Sequence, residues 1–213
     1  ILVLKKYYKK CDHTINEYVE LPQELVNLTK EQVQEKYADW EVIGFEKGKI
    51  TLYNVPNIQD VQTMFEIIKD IGGKVTKKNN KIIIDTSKIH TYEISENLMR
   101  KMRSSVILAG AIIGKYKKAN FSYPGGCEIG SRPIDLHLKG FEKLGVDIKE
   151  EYGEIYCNTE KIVGTQIHLD LPSVGATENI ILASCLGEGT TVITNAAREP
   201  EIEDMIKYLN KMG

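Results

Sequence analysis

The feature that most constrains the fold is a helical pattern that occurs three times in the chain. In each copy, apolar residues at helical spacing lead to a glycine that can cap the helix, and a proline stands ahead of them. The apolar residues and their glycines are Phe65, Ile68, Ile71 and Gly72, then Leu138, Phe141, Leu144 and Gly145, then Ile206, Leu209, Met212 and Gly213. The prolines are Pro56, Pro133 and Pro200. Capping glycines about 70 residues apart indicate three related structural units.

Short segments with the composition of strands accompany these helices. One lies ahead of each proline, and further alternating segments follow the first two glycines. The segments ahead of the prolines span 49–53, 119–123 and 191–194, and the later ones span 81–85, 154–157 and 166–170. Helix-like runs precede the second and third units, at 102–113 and 176–186, and close at Gly114 and Gly187. We therefore predict an α/β domain with a pseudo-threefold repeat of helix, strand, helix, strand, strand units.

The first unit is incomplete, because no matching helix precedes Lys49. Residues 1–44 contain instead an extended stretch, a short helix capped by Thr29 and a strand-like segment. We expect two domains, a small unrelated α+β module over 1–44 and the repeat domain over 45–213. Because the chain begins at Ile1 and not at methionine, we expect a fragment or a processed product.

Charge and cysteine content argue against several classes of protein. The net charge is −2 and the pI is near 6.2, which argues against a dedicated nucleic-acid-binding or membrane-surface protein. No run of 18 apolar residues is present. The cysteines stand far apart without a C-x-x-C pair, which favours neither a metal cluster nor a disulfide framework. They are Cys11, Cys127, Cys157 and Cys185. We expect a cytoplasmic protein without a metal ion or cofactor.

One glycine-rich segment, residues 124–137, carries most of the candidate chemistry. It places Cys127, Arg132 and Asp135 between a strand and a helix, and Pro133 suits the first position of that helix. A helix start beside an arginine favours a phosphate or carboxylate ligand, and the same surroundings lower the pKa of a thiol. Cys127 is therefore the candidate reactive cysteine, with a buried unreactive thiol as the alternative.

Residues 48–213 resemble the UDP-N-acetylglucosamine 1-carboxyvinyltransferase family of enolpyruvyl transferases. The matching sequence motifs are Asn54–Pro56, Met102–Ser105, Pro124–His137, Leu169–Asn179 and Ala196–Glu201. The glycine-rich loop and the motif Ser-Val-Gly-Ala-Thr-Glu-Asn at 173–179 are the most specific of these. The resemblance implies a two-domain enzyme with three repeats in each domain and the substrates bound between the domains. Residues 45–213 of this chain correspond to one of those domains.

The resemblance also implies an activity. Members of this family transfer the enolpyruvyl group of phosphoenolpyruvate to the 3-hydroxyl of UDP-N-acetylglucosamine and release phosphate, the first committed step of peptidoglycan synthesis. The position of Cys127 implies that its thiol donates a proton to C3 of phosphoenolpyruvate and is the group that fosfomycin alkylates. The expected partners are these two substrates and the second domain, and neither nucleic acid nor a membrane is expected.

Matched positions also imply binding residues. They are Arg103 and Arg132 for phosphate groups and substrate, Pro133, Ile134, Asp135 and Leu136 for the uracil, and Ser173, Val174 and Gly175 for the nucleotide. Each group has a structural alternative. The arginines could lie on a solvated helix face, the apolar side chains could pack in the core, and the serine segment could be an ordinary capped helix.

Two parts of the family pattern are not in this sequence. One is the Gly-Ala-Lys-Asn motif, which holds the substrates in the family. The other is the second domain, which contains the family's general-base aspartate and phosphate-binding arginines. Residues 1–44 resemble instead, at 21–29 and 39–42, a small domain of forespore regulatory proteins. We therefore expect the chain by itself to be an incomplete, inactive fragment. The alternatives are a vestigial or fusion module that binds the UDP-sugar without turnover, and a regulatory fusion governed by residues 1–44.

The remaining polar groups have structural interpretations. We expect His137 to pack or to form hydrogen bonds beside the uridine segment, and His90 and His168 to be structural or exposed. The lysine-rich run at 77–81 predicts a solvated hairpin turn. Cys11–His13 provides only half of a metal site.

Overall fold

The structure, a computed structural model, describes residues 2–5, 48–53, 55–79, 81–125 and 134–212. In chain order its elements are β1 (Leu2–Lys5), β2 (Lys49–Tyr53), α1 (Gln59–Asp70), β3 (Lys74–Lys78), β4 (Lys81–Asp85), α2 (Glu96–Met99), a 3-10 helix (Arg103–Val106), α3 (Ile107–Tyr116), β5 (Lys118–Ser122), α4 (Asp135–Lys143), β6 (Asp147–Glu151), β7 (Glu154–Asn158), β8 (Gln166–His168), α5 (Val174–Ser184), β9 (Thr190–Thr194) and α6 (Pro200–Met212). They fall into two compact units, Thr91–Ile206 with Ile1–Tyr7, and Tyr8–His90 with Lys207–Gly213.

The smaller unit contains a strand–helix–hairpin repeat. Strand β4 is central in its sheet and pairs antiparallel with both β2 and β3. Helix α1 follows its apolar spacing, and Phe65 and Ile67 are buried. Asn79, with a φ of 54°, turns the chain between β3 and β4, which confirms the predicted hairpin at 77–81.

The larger unit repeats this arrangement. Helix α4 follows β5 and precedes the β6–β7 hairpin, and β7 is the central strand, antiparallel to both neighbours. Phe121 of β5 stands opposite Ile155 of β7, and both side chains are fully buried. Phe141 and Leu144, from the predicted helical pattern, are also fully buried. The same apolar pattern therefore accompanies the same strand order in the repeat of the smaller unit and in the repeat of the larger unit.

A third sheet, in the larger unit, has a different topology. Its strand order is β1, β9, β8, with β8 parallel to β9 and β1 antiparallel to β9. Parallel neighbours require a crossover connection, and helix α5 provides it. Helix α6 begins at Pro200, whose fixed φ suits the first helical position.

Two of the capping glycines have the backbone conformation that the repeat pattern predicts. The φ angle is +103° at Gly72 and +89° at Gly145, in the left-handed region that residues with a side chain rarely adopt. A Cβ atom at Gly72 would also lie 2.3 Å from Nδ1 of His90. The third glycine, Gly213, lies outside the described residues.

Several predicted boundaries are wrong for local reasons. Helix α3 continues through Gly114 to Tyr116, and Lys117, with a φ of 61°, is its left-handed cap. Helix α4 begins at Asp135, two residues after the start predicted at Pro133. The sequence pattern does not reveal β3 and β6, because both are mostly exposed and rich in charged residues. Segment 166–168 does not complete the second repeat, since it pairs with β9.

Helix α5 is the centre of the core in the larger unit and contacts both α3 and α4. Helices α3 and α5 are apolar around most of their circumference, so both can be buried. Helix α4 approaches α5 closely at Gly140, where a Cβ atom would lie 2.5 Å from Cγ1 of Ile180. The packing therefore brings three helices of the larger unit together.

Candidate functional site

The described residues on either side of the glycine-rich loop belong to the larger unit. At its start, the amide of Gly125 donates a hydrogen bond of 3.2 Å to the carbonyl oxygen of Met99, at the end of α2. At its end, Ile134 is buried and stands at the N-cap position of α4. The predicted site residues between these points, Cys127, Arg132 and Pro133, lie outside the described residues. The described ends connect this loop to α2 and to the first turn of α4.

Arg103 begins the 3-10 helix and is exposed. The backbone beside it is held by Ser105, whose fully buried hydroxyl is 2.9 Å from the carbonyl oxygen of Met99 and 2.7 Å from that of Met102. A hydroxyl that bonds to two buried carbonyl groups stabilises one conformation of this turn. The structure therefore places an exposed guanidinium on an ordered backbone, an arrangement suited to pairing with an anion.

The first turn of α4 presents one exposed acid and two apolar residues. Asp135 is exposed and lies 4.0 Å from Nζ of Lys139, which also pairs with Asp170 at 2.9 Å. Ile134 is 5% exposed, and Leu136 is half-buried. Core packing therefore accounts for the Ile134 side chain, so a ligand here would meet the backbone of this residue.

The first turn of α5 is a capped helix start. The hydroxyl of Ser173 accepts a hydrogen bond from the amide of Ala176, and Thr177 Oγ1 donates to the Ser173 carbonyl oxygen at 2.7 Å. Ser173 is thus the N-cap, in agreement with the alternative of an ordinary capped helix, for which Ser173 and Thr177 were both candidates. Among the described residues, the amides of Val174 and Gly175 have no hydrogen-bond partner. Two N–H donors and the positive end of the helix dipole remain at this point.

Asn179 of α5 connects three helices through one buried side-chain amide. Its Oδ1 accepts a 2.7 Å hydrogen bond from the amide of Gly110, and its Nδ2 donates a 2.9 Å bond to the carbonyl oxygen of Val106. Val106 and Gly110 are four residues apart, the spacing at which helical C=O and N–H groups normally bond to each other. Nδ2 also lies 2.7 Å from Nδ1 of His137 in α4. The Asn179 side chain is fully buried, so these contacts satisfy it.

These contacts determine which nitrogen of His137 carries hydrogen. The Gly110 amide can only donate and the Val106 carbonyl can only accept, so the Asn179 amide has one consistent orientation. His137 Nδ1 is then an acceptor, and the hydrogen of the neutral ring lies on Nε2. Burial lowers the pKa of His137 from 6.5 to about 4, against the opposing effect of Asp135, so the ring is neutral at pH 7.

The ring of His137 lies beside the first turn of α5. A Cβ atom at Gly175 would be 3.2 Å from Cε1 of His137 and 3.5 Å from its Nε2. Through this contact and the Asn179 bond, the structure brings together the first turns of α4 and α5, two of the predicted binding segments. The expected packing and hydrogen-bonding role of His137 is confirmed.

Sequence reasoning missed the role of Asn179. The residue lies in the sequence motif at 173–179, but no function follows from that position alone. An amide inside an otherwise apolar helix was the signal that could have identified it, because a buried amide needs partners. Of the other histidines, His90 and His168 are exposed, as expected, and His168 Nδ1 lies 2.9 Å from the hydroxyl of Thr194.

Among the described residues, the thiol of Cys157 is unreactive, and neither a metal-binding cluster nor a membrane-spanning helix is found. Cys157 is buried, and burial raises the pKa of its thiol to about 12, so this thiol is protonated and unreactive at neutral pH. No cluster of three or more His, Cys, Asp or Glu side chains within the described ranges could hold a metal ion. No helix in those ranges is both long and apolar enough to cross a bilayer.

The fold is an α/β domain of the enolpyruvyl transferase type, as predicted. A family profile described as EPSP synthase (3-phosphoshikimate 1-carboxyvinyltransferase) matches residues 45–213. The chain belongs to this family.

Similar proteins carry a more specific description. The chain is 55% identical over 167 residues to UDP-N-acetylglucosamine 1-carboxyvinyltransferase 2 of Caldanaerobacter subterraneus subsp. tengcongensis. It is 48% identical over 167 residues to the protein of the same name from Clostridium tetani. Each match covers 78% of this chain and 40% of the relative. The chain therefore spans about two-fifths of the length of these relatives.

Solved structures show the same fold. The enolpyruvyl transferase NikO from Streptomyces tendae matches with a TM-score of 0.66 at 18% identity, over 77% of this chain and 39% of that protein. An EPSP synthase from Acinetobacter baumannii matches with a TM-score of 0.54, also at 18% identity, over 81% of this chain and 39% of that protein. At this identity the likeness concerns the fold alone.

Proposed function

We propose that the chain is part of a cytoplasmic UDP-N-acetylglucosamine 1-carboxyvinyltransferase of peptidoglycan synthesis. This enzyme moves the enolpyruvyl group of phosphoenolpyruvate to the 3-hydroxyl of UDP-N-acetylglucosamine and releases phosphate. The observation that carries the proposal is the contact of the first turns of α4 and α5 through His137 and Asn179. These turns are the segments at which the resemblance implies uridine and phosphate binding. The names of the relatives with 55% and 48% identity support the same substrate.

The binding step uses backbone donors and arginines. The amides of Val174 and Gly175, at the positive end of the α5 dipole, are suited to the diphosphate of the UDP-sugar. The exposed guanidinium of Arg103 adds a bidentate anion contact, and Arg132 is proposed to do the same from the loop. The backbone of Ile134–Leu136 holds the uracil.

The chemical step uses the loop thiol. Cys127 donates a proton to C3 of phosphoenolpyruvate while positive charge develops at C2. The 3-hydroxyl of the sugar then attacks C2 and forms the new C–O bond, and its proton passes to the general-base aspartate that the resemblance implies in the second domain. Phosphate then leaves as its C2–O bond breaks, and a C3 proton returns to the Cys127 thiolate, which restores the C2–C3 double bond as the enol ether of the sugar.

A second candidate function concerns the 213-residue polypeptide by itself. In this candidate function the polypeptide binds the UDP-sugar without turnover. Turnover is not expected because the sequence contains neither the Gly-Ala-Lys-Asn motif nor the second-domain residues that the resemblance assigns to catalysis. Its assay is phosphate release from phosphoenolpyruvate in the presence of UDP-N-acetylglucosamine. Phosphate release by this polypeptide would contradict this second candidate.

Binding is tested by calorimetry with UDP-N-acetylglucosamine. The substitution Arg103→Ala is expected to weaken binding about tenfold, because a charge-assisted contact with phosphate is lost. Lys101→Ala is the control, since it removes an exposed positive charge two residues away. Equal affinities of the two variants would remove Arg103 from the proposed site, and an absence of binding to the unchanged chain would remove the site.

Catalysis is tested in a chimera that places the matching residues of this chain into the 55%-identical relative. We expect the chimera to release phosphate, and Cys127→Ala to abolish this activity. Cys157→Ala is the control, because that thiol is buried and protonated. Fosfomycin should label the chimera at Cys127. Full activity of the Cys127→Ala chimera would refute the proton-donor role.

A further inference from the structure

The side chain of Asn179 links segments of the larger unit that are far apart in the sequence. A single buried amide contacts the start of α3 through Val106 and Gly110 and the first turn of α4 through His137. The partners lie 73, 69 and 42 residues away along the chain. Local propensity cannot hold such distant segments together, so tertiary contacts do so, and those of Asn179 are among them.

The close fit at both ends leaves this amide little freedom. At Gly110, a Cβ atom would lie 2.5 Å from Oδ1 of Asn179, so only a residue without a side chain allows the approach. At the other end, His137 is 8% exposed and its ring lies against Gly175 of α5. The ring is therefore held between its Nδ1 contact with Asn179 and the backbone of the α5 first turn.

We propose that Asn179 is a positioning residue that holds His137 with its ring hydrogen on Nε2 and thereby fixes the first turn of α4 against the first turn of α5. Ile134–Leu136 and Ser173–Gly175 are then presented to a ligand in one arrangement. That the ligand is a nucleoside diphosphate rests on the proposed function, whereas the linkage of the two turns does not.

The first measurement needs no change in the core. Long-range ¹H–¹⁵N spectra of the 213-residue chain labelled at histidine distinguish the two neutral tautomers. The signals of His137 are those lost in His137→Gln. We expect hydrogen on Nε2 at neutral pH. Hydrogen on Nδ1, or on both nitrogens, would overturn the proposal.

A substitution then tests the direction of the contact. Asn179→Asp replaces the donor by a carboxylate that only accepts, so His137 must donate from Nδ1 and its ring hydrogen should move there. A folded Asn179→Asp protein that kept hydrogen on Nε2 alone would overturn the proposal. If this variant does not fold, the spectrum of the unchanged chain still decides the matter.

The consequence for the binding segments is tested with Asn179→Ala and a matched control. Ser184→Ala removes a hydrogen bond that stays within α5, from Oγ to the Ile180 carbonyl oxygen at 2.7 Å. We expect the amide signals of both Ile134–Leu136 and Ser173–Gly175 to shift in Asn179→Ala and not in Ser184→Ala. Unchanged signals in a folded Asn179→Ala protein would overturn the proposal.

Ligand affinity separates this inference from the proposed function. Asn179→Ala should bind UDP-N-acetylglucosamine about tenfold more weakly than Ser184→Ala, because a buried polar contact is lost. Equal affinities would overturn the positioning role. If the unchanged chain does not bind this ligand, the proposed function fails, and the tautomer and the amide shifts still decide whether Asn179 links the two turns.

Discussion

The β2–α1–β3–β4 repeat and the β5–α4–β6–β7 repeat have the same strand order and the same antiparallel pairing. They differ in the connection from the first strand to the helix. In the first repeat it spans residues 54–58, and in the second it spans 123–134 and includes the cysteine loop. The second repeat is also more deeply buried, with Ile155 fully enclosed where the equivalent Ile82 is half-buried. A shared pattern therefore sets topology, whereas candidate chemistry enters through an inserted loop.

The largest difference between the repeats should appear in their central strands. Ile155→Ala is expected to lower the free energy of unfolding by about 4 kcal/mol, and Ile82→Ala by about half as much, because fewer contacts are lost at the half-buried position. Urea unfolding measures both values. Equal losses would show that the two repeats are equally well packed.

The next effect concerns the contact of α3 with α5. Gly110→Ala should cost about 3 kcal/mol, because its Cβ atom would lie 2.3 Å from the backbone oxygen of Asn179. Gly114→Ala is the control on the same helix, where the nearest atom would be the Leu182 carbonyl oxygen at 3.0 Å. Its cost should stay below about 1 kcal/mol, since alanine favours the helix. Thermal and urea unfolding check this, and similar losses would contradict the close approach at Gly110.

A smaller effect is the acid sensitivity that His137 gives the second repeat. Its pKa is lowered by burial to about 4, so the unfolded chain takes up the proton first as the pH falls. The contribution to stability is complete above pH 6.5 and decreases toward pH 4. The loss is about 2 kcal/mol between pH 7 and pH 5. Urea unfolding at both pH values should show a smaller loss in His137→Gln, and identical losses would contradict the assignment.

The smallest effect should come from the ion pair between α4 and the segment after β8. Lys139 pairs with Asp170 at 2.9 Å, but both side chains are exposed and solvent screens the attraction. We expect Asp170→Asn to leave the unfolding midpoint within experimental scatter. A clear decrease would mean that surface charges, and not only buried contacts, distinguish the second repeat from the first.

Much of the fold could be predicted because its signals are local. Apolar spacing identified the helices around Phe65 and Phe141, and their glycine caps have the positive φ angles that a left-handed turn needs. Strands β3 and β6 escaped prediction because exposed charged residues hide their period. The end of α3 was misplaced because Lys117, and not Gly114, adopts the left-handed conformation.

The candidate site was predictable only residue by residue. Ser173 could be identified as a helix cap, since a cap is a contact over three residues. The association of His137 with Asn179 could not, because no periodicity relates positions 42 residues apart. The thiol of Cys127 remains a prediction from its loop and its family.

The sequence by itself determined the repeat, its capping glycines and the family, because each depends on residue type and short-range spacing. Only the tertiary structure decided that one buried amide of Asn179 serves Gly110, Val106 and His137 together. The physical reason is that hydrogen-bond partners are chosen by proximity in space. That proximity arises only after the apolar faces of three helices have packed against each other.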